Sequence, residues 1–153
     1  MTTQRVTDNS ISLFFERDHR EIDSIYDRVR FQNAKDDLPL FQEFSKRLDR
    51  HIQWEEKILF PAVAKRNPQL EMGPIRIMKM EHEAIRDSKA KALTALNAAD
   101  VQLASEHCET MIAILKQHNM KEEHILYPAC DQTLDAETAG GILRTVKADL
   151  EDR

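Results

Sequence analysis

A chain of 153 residues is long enough to close a single hydrophobic core without disulfides or a stapling metal, and one domain over residues 1–153 is expected. A net charge of −5, with 32% charged residues of both signs mixed along the chain, gives no basic field to attract nucleic acid or an anionic membrane surface. No uninterrupted apolar stretch is long enough to span a bilayer or act as a signal peptide, so a cytoplasmic protein with no nucleic-acid and no membrane partner is expected, any protein partner being left unspecified.

Three glycines, 6% aromatics and an abundance of Ala, Leu, Glu, Lys and Arg favour helix and starve sheets of turn residues, so the expected class is all-α. From about Ser10 to Phe31, Ile11, Phe14, Phe15, Ile22, Ile25 and Val29 recur at three- and four-residue steps, and His19 lies inside that stripe. The run Asn33-Ala34-Lys35-Asp36-Asp37-Leu38 breaks the pattern. Pro39 suits the first turn of a second helix, which is expected over about 39–65.

The segment from Arg66 to Pro74 holds two prolines and a glycine and reads as the clearest loop. A third helix, from about Pro74 to Ala98, carries Ile75, Met78, His82, Ile85 and Leu93 on one stripe. Asp100 is an N-cap for a fourth, whose stripe includes Met111, Leu115, His118, Glu122 and Ile125. After Pro128 and a polar passage, a short fifth helix is expected over about 136–151, its apolar residues following a flexible Gly140-Gly141 pair. Four long helices with short connections over about 10–130 make an antiparallel up-down-up-down four-helix bundle, with the fifth helix across its side or end.

Two stretches repeat. His51-Ile-Gln-Trp-Glu-Glu-Lys-Ile-Leu-Phe-Pro-Ala62 and His118-Asn-Met-Lys-Glu-Glu-His-Ile-Leu-Tyr-Pro-Ala129 share seven of twelve residues at an offset of sixty-seven, and Asp18-His19-Arg-Glu-Ile22 resembles Glu81-His82-Glu-Ala-Ile85 at sixty-three. The chain therefore reads as two helical hairpins related by an approximate two-fold axis. At about 100° per residue, Glu55 falls some 40° from His51, within the arc of Phe44, Leu48 and Ile58, whereas Glu56 falls near 140°.

Each hairpin thus offers one inward histidine and one His-x-x-x-Glu. A lone histidine on an apolar face is usually a satisfied core residue, but four histidines and two buried carboxylates at one level of a core need a compensating charge. His19, His51, Glu55, His82, His118 and Glu122 are the candidate metal ligands. They suit two ions, with His19 and His51 on one, His82 and His118 on the other, and Glu55 and Glu122 bridging. Nitrogen and oxygen donors without thiolate favour iron or manganese and do not exclude zinc.

In these motifs, and in the Glu-Glu-x-x-Leu-Phe/Tyr-Pro runs at 55–61 and 122–128, the chain resembles the hemerythrin-like, or HHE cation-binding, family from about residue 10 to 130. The resemblance implies a four-helix bundle holding two iron ions with an oxo or hydroxo bridge. It further implies reaction with, or sensing of, a small-molecule ligand (peroxide, O2 or NO), in oxidative or nitrosative stress or in iron homeostasis. If the protein is an enzyme, the resemblance points to peroxide disproportionation or repair of iron centres. Reversible O2 binding and a non-catalytic iron or zinc bundle are the alternatives. Oxygen-carrying hemerythrins have a second histidine where this chain has Arg86, and an Asp five residues after the helix-four histidine where it has Glu122 at four and Glu123 at five.

The other polar residues have plainer readings. Tyr26, two turns along the His19 stripe, reads as packing rather than a donor near the metals, and Lys89 as snorkelling from the edge. Trp54 fills an interhelix seam, His107 sits at a bundle end, and His124 faces solvent or backs the site. Asp18 and Glu81 read as solvated, with orientation of an imidazole as the alternative. Cys108 and Cys130, which lack CxxC spacing, read as buried small residues.

Overall fold

The computed structural model describes residues 10–152, and among these all regular structure is helical. Helix α1 spans Ile11–Tyr26, α2 Ala34–Trp54, α3 Phe60–Arg66, α4 Pro68–Leu70, α5 Arg76–Asn97, α6 Val101–Lys121, α7 Tyr127–Thr133 and α8 Ala136–Glu151. Because π-helical turns at Glu55–Leu59 and Glu122–Leu126 join α2 to α3 and α6 to α7, the expected four long helices are present as α1, α2–α3, α5 and α6–α7.

Helix α1 is pinned at its start. The Ser10 hydroxyl accepts from the Leu13 N–H at 3.0 Å. The Asp131 carboxylate of α7 accepts from the Ile11 and Ser12 N–H groups at 2.8 and 3.2 Å, placing a negative charge on the positive end of the helix. The helix stops at Tyr26 instead of running to Phe31, because buried Asp37 gathers the N–H groups of Arg30, Gln32 and Asn33, and Phe31 takes a left-handed φ of 56°. Asn33 then caps α2, which begins at Ala34, five residues before the start expected from Pro39. Pro39 is tolerated inside α2 on an exposed face, where the Lys35 carbonyl it leaves without an N–H can turn to water.

The stretch expected to be the clearest loop is mostly helical. Only Asn67, with φ −142°, interrupts it. Pro68 opens α4, and Pro74 lies in a π turn, Glu71–Ile75, that runs straight into α5. Prolines accompany all three π turns: Pro61 and Pro128 follow the other two. A proline removes one i→i−4 bond and crowds the carbonyl four residues back. A wider turn relieves the crowding, and here the Phe60 N–H reaches the Glu55 carbonyl and the Tyr127 N–H the Glu122 carbonyl, five residues back in each case.

Two apolar clusters form the core. One, including Phe15, Leu59, Phe60, Tyr127, Ile142 and Val146, lies at the end covered by α8, whose residue Asp149 accepts the Trp54 indole N–H at 2.7 Å. The other, including Ile22, Phe41, Phe44, Ile85, Met111 and Leu115, fills the opposite half. Trp54 is in the expected seam, and Cys108 and Cys130 are buried free thiols. Lys89, by contrast, does not snorkel: it is buried, and its ammonium donates to Ser45 Oγ at 2.7 Å and meets Asp49 at 2.8 Å.

Two backbone features yield a stability test. Ala99 closes α5 with a left-handed φ of 60°, while Gly140 and Gly141, expected to be a flexible break, lie inside α8 with no positive φ. A Cβ added at Gly141 would meet only the tip of Arg144 at 3.8 Å. Ala99→Gly and Gly141→Ala, opposite exchanges, should each stabilise the protein by about 0.5–1 kcal/mol. Thermal denaturation should show each midpoint rising by about 1–4 °C; a fall for either variant contradicts the backbone assignment at that position.

Candidate metal centre

The bundle brings His19 from α1, His51 from α2, His82 from α5 and His118 from α6 to one level, with Glu55 and Glu122 at the first positions of the two π turns. None of the six is more than 3% exposed. They fall into two overlapping groups, His19-His51-Glu55-Glu122 and Glu55-His82-His118-Glu122, within each of which one candidate ligand atom per residue lies within 4.8 Å of the others.

Each carboxylate faces both groups. Glu55 directs Oε2 toward His51 Nε2 at 3.4 Å and Oε1 toward His82 Nε2 at 3.1 Å. Glu122 directs Oε1 toward His19 Nε2 at 3.1 Å and Oε2 toward His118 Nε2 at 3.3 Å. All four Nε2 atoms therefore point into the cage, and one oxygen of each glutamate serves each half.

The four Nδ1 atoms point outward, each against its own carboxylate. His51 Nδ1 meets Asp18 at 2.8 Å and His118 Nδ1 meets Glu81 at 2.9 Å, in each case the residue just before the first-helix histidine of the same hairpin. His19 Nδ1 meets Glu123 and His82 Nδ1 meets Glu56, both at 2.7 Å, in each case the residue after the cage glutamate of the other hairpin. Donation from Nδ1–H fixes the ring and aims Nε2 inward, so that loss of its proton presents a lone pair to the cage, the arrangement a metal-binding imidazole requires. The solvated reading of Asp18 and Glu81 is thus corrected: at roughly 100° from the histidine that follows it, each reaches the neighbouring helix rather than water. Cations back three of the four carboxylates: Arg47 on Asp18, Lys121 on Glu81, and Arg86 on Glu56 at 2.8 Å. Arg86 points away from the cage and also meets Glu83 at 2.9 Å.

One further residue lines the cage. The Tyr127 hydroxyl donates to Glu55 Oε2 at 2.6 Å and lies near Glu122, His19 and His51. At a uniform 100° per residue Tyr127 falls about 180° from His118, on the outer face. The π turn Glu122–Leu126 adds about one residue to the helical turn and rotates Tyr127 inward. The available signal was its place in the second Leu-Phe/Tyr-Pro run, opposite Phe60. Tyr26 packs on Phe44 at 5.1 Å between ring centres, as expected, and His124 is exposed.

Charge in the metal-free cage is compensated by protons. Burial alone would push the His51 imidazole down, but the Glu55 carboxylate and the bond to Asp18 outweigh it and raise its pKa to about 10. Burial is likewise outweighed at His118, which Glu122 raises to about 9. Burial would raise the Glu55 carboxyl, yet His51 and the surrounding hydrogen bonds hold it well below its ordinary range. The Tyr127 phenol, fully buried beside two carboxylates, is driven well above its ordinary value and stays neutral.

A four-helix bundle around a buried cage of four imidazoles and two carboxylates defines a class of helical proteins built to hold cations internally. The hemerythrin HHE cation-binding domain matches residues 11–130, and the chain belongs to that family. No curated protein and no solved structure matches it. No described helix is long and apolar enough to cross a membrane.

Two predictions follow from the geometry. A histidine whose folded pKa is raised stabilises the fold fully below its unfolded value and loses that contribution as pH rises through the folded one. The denaturation midpoint of metal-free protein should therefore fall between pH 6.5 and about 10, as His51 and His118 lose protons. Metal affinity should rise across the same window, because fewer protons compete for Nε2; a midpoint that climbs with pH contradicts the assignment. Separately, Asp18→Ala or Glu123→Ala should weaken metal binding by about 10–100-fold in chelator competition, with helical content retained.

Proposed function

We propose that this chain is a non-haem di-iron protein, with His19 and His51 at one iron, His82 and His118 at the other, and Glu55 and Glu122 bridging. The observation that carries this reading is the split of each carboxylate between the two halves. Glu55 Oε1, Glu122 Oε2 and His82 Nε2 also lie buried on one side of the cage without a well-formed hydrogen bond, although Glu55 Oε1 and His82 Nε2 stand 3.1 Å apart. Such orphaned atoms cost free energy unless a cation satisfies them. The donor set of nitrogen and carboxylate oxygen fits iron and also admits manganese or zinc.

When bound, two iron ions would supply one- and two-electron redox chemistry on a small ligand. The protein's own contribution is to orient the imidazoles through their Nδ1 atoms and to exclude water. Because no cage residue is more than 3% exposed, only molecules on the scale of O2, NO or peroxide can reach the site without opening the bundle. Arg86, turned outward to Glu56 and Glu83, gives the His82–His118 half no further ligand. That half is left with a free position, which favours turnover or sensing of peroxide or NO over saturated, reversible O2 carriage.

Protein purified in air should contain two iron ions per chain and show the near-ultraviolet charge-transfer bands of an oxo-bridged ferric pair. Zinc in their place, or one metal per chain, contradicts the di-iron reading. Glu55→Ala and Glu122→Ala should each lower iron content to one ion or fewer, and unchanged stoichiometry in both removes the bridging roles. Added peroxide should be consumed; reversible O2 uptake with peroxide left intact would favour a carrier.

A further inference from the structure

The six inward groups obey the two-fold repeat, but what lies against them does not. The Tyr127 hydroxyl oxygen is 2.6 Å from Glu55 Oε2, 3.0 Å from Glu122 Oε1, and 3.1 Å from Nε2 of both His19 and His51. Those four atoms are the complete inward donor set of one half of the cage. In the other half the equivalent residue is Phe60, whose ring stacks on His82 at 6.2 Å and brings no polar atom.

Once the Nε2 protons have left His19 and His51, hydrogen bonding alone does not account for this placement. A phenol has one proton to donate, yet its oxygen faces two carboxylate oxygens, and the proton directed at Glu55 leaves none for Glu122. The spacing matches that of donors around one ion: two atoms bonded to a metal at about 2.1 Å and at right angles are about 3 Å apart. A cation amid the five atoms satisfies all of them together.

We propose that Tyr127 is a further metal ligand, its phenolate oxygen completing the His19–His51 position, so that the two metal positions are chemically different. The proposal rests on the di-iron reading of the cage. As the oxygen–metal bond forms the O–H bond breaks, and the proton passes to solvent. Filling this position therefore releases one proton more than it does with phenylalanine at residue 127. An added anionic oxygen stabilises the ferric over the ferrous ion there, while the His82–His118 position keeps only its imidazoles and carboxylate oxygens.

The test compares wild type, Tyr127→Phe and Tyr26→Phe, which exchanges the chain's only other tyrosine. Each is loaded with ferrous salt in air and assayed for iron. Wild type and Tyr26→Phe should show a visible phenolate-to-ferric charge-transfer band with phenolate ring modes in resonance Raman, and Tyr127→Phe should lack both. Two irons per wild-type chain without the band, or a band that survives Tyr127→Phe, overturns the ligand assignment while leaving the di-iron reading intact. Failure of wild type to take up iron overturns both. Should Tyr127→Phe fold poorly, the wild-type Raman signature still decides. Zinc loading of folded protein gives a check free of redox chemistry: proton release equal in wild type and Tyr127→Phe overturns the proposal, and one proton more in wild type supports it.

Discussion

The constraint on which this structure depends is the cost of placing two carboxylates and four imidazoles in the middle of an apolar bundle. A buried ionisable group without a partner is strongly destabilising, and a buried pair is tolerable only when its geometry is good and its remaining polar atoms are satisfied. The protein meets that demand in rings. Glutamates and Nε2 atoms face one another in the cage, carboxylates grip every Nδ1, and Arg47, Arg86 and Lys121 neutralise three of those carboxylates toward the surface. Apolar clusters above and below keep water out of the inner ring.

The backbone is shaped to the same end. His and Glu at i and i+4 share a face of an α-helix, and the π turn that starts at each glutamate then re-phases the helix, so that residues 60 and 127 return to the core. The proline after each turn favours the wider helix there and explains why the histidine, the glutamate and the proline recur together in both hairpins. The hairpins are equivalent in this respect, and the difference between them lies in side chains. Phenylalanine in one and tyrosine in the other give the cage one dry wall and one polar wall.

The six cage residues were legible because each lies on an α-helical stretch where a uniform rotation per residue holds, and because the motif occurs twice. Residues beyond a π turn are not legible by the same arithmetic, which puts Tyr127 on the outer face. Asp18 and Glu81 were misjudged for another reason. A residue adjacent to an inward histidine lies at the edge of the buried face, and whether it meets water or a neighbouring helix depends on interhelical packing that no single helix encodes. Proline misled twice, at the start of α2 and in the stretch before α5. In each case it is accommodated inside helical structure, by solvent at the Lys35 carbonyl and by a π turn at Pro74.

The raised imidazole pKa values give the metal-free cage a way to offset its buried carboxylate charge. With His51 and His118 protonated, imidazolium charge faces the Glu55 carboxylate, which is held well below its ordinary range. The apolar clusters, with α8 closing one end, hold the bundle, and protons hold the cage. A cation of the family's kind would exchange with protons on Nε2 rather than organise the fold. Among the described cage atoms, Glu55 Oε1, Glu122 Oε2 and His82 Nε2 make no well-formed hydrogen bond, and a cation bound on that side of the cage would meet all three.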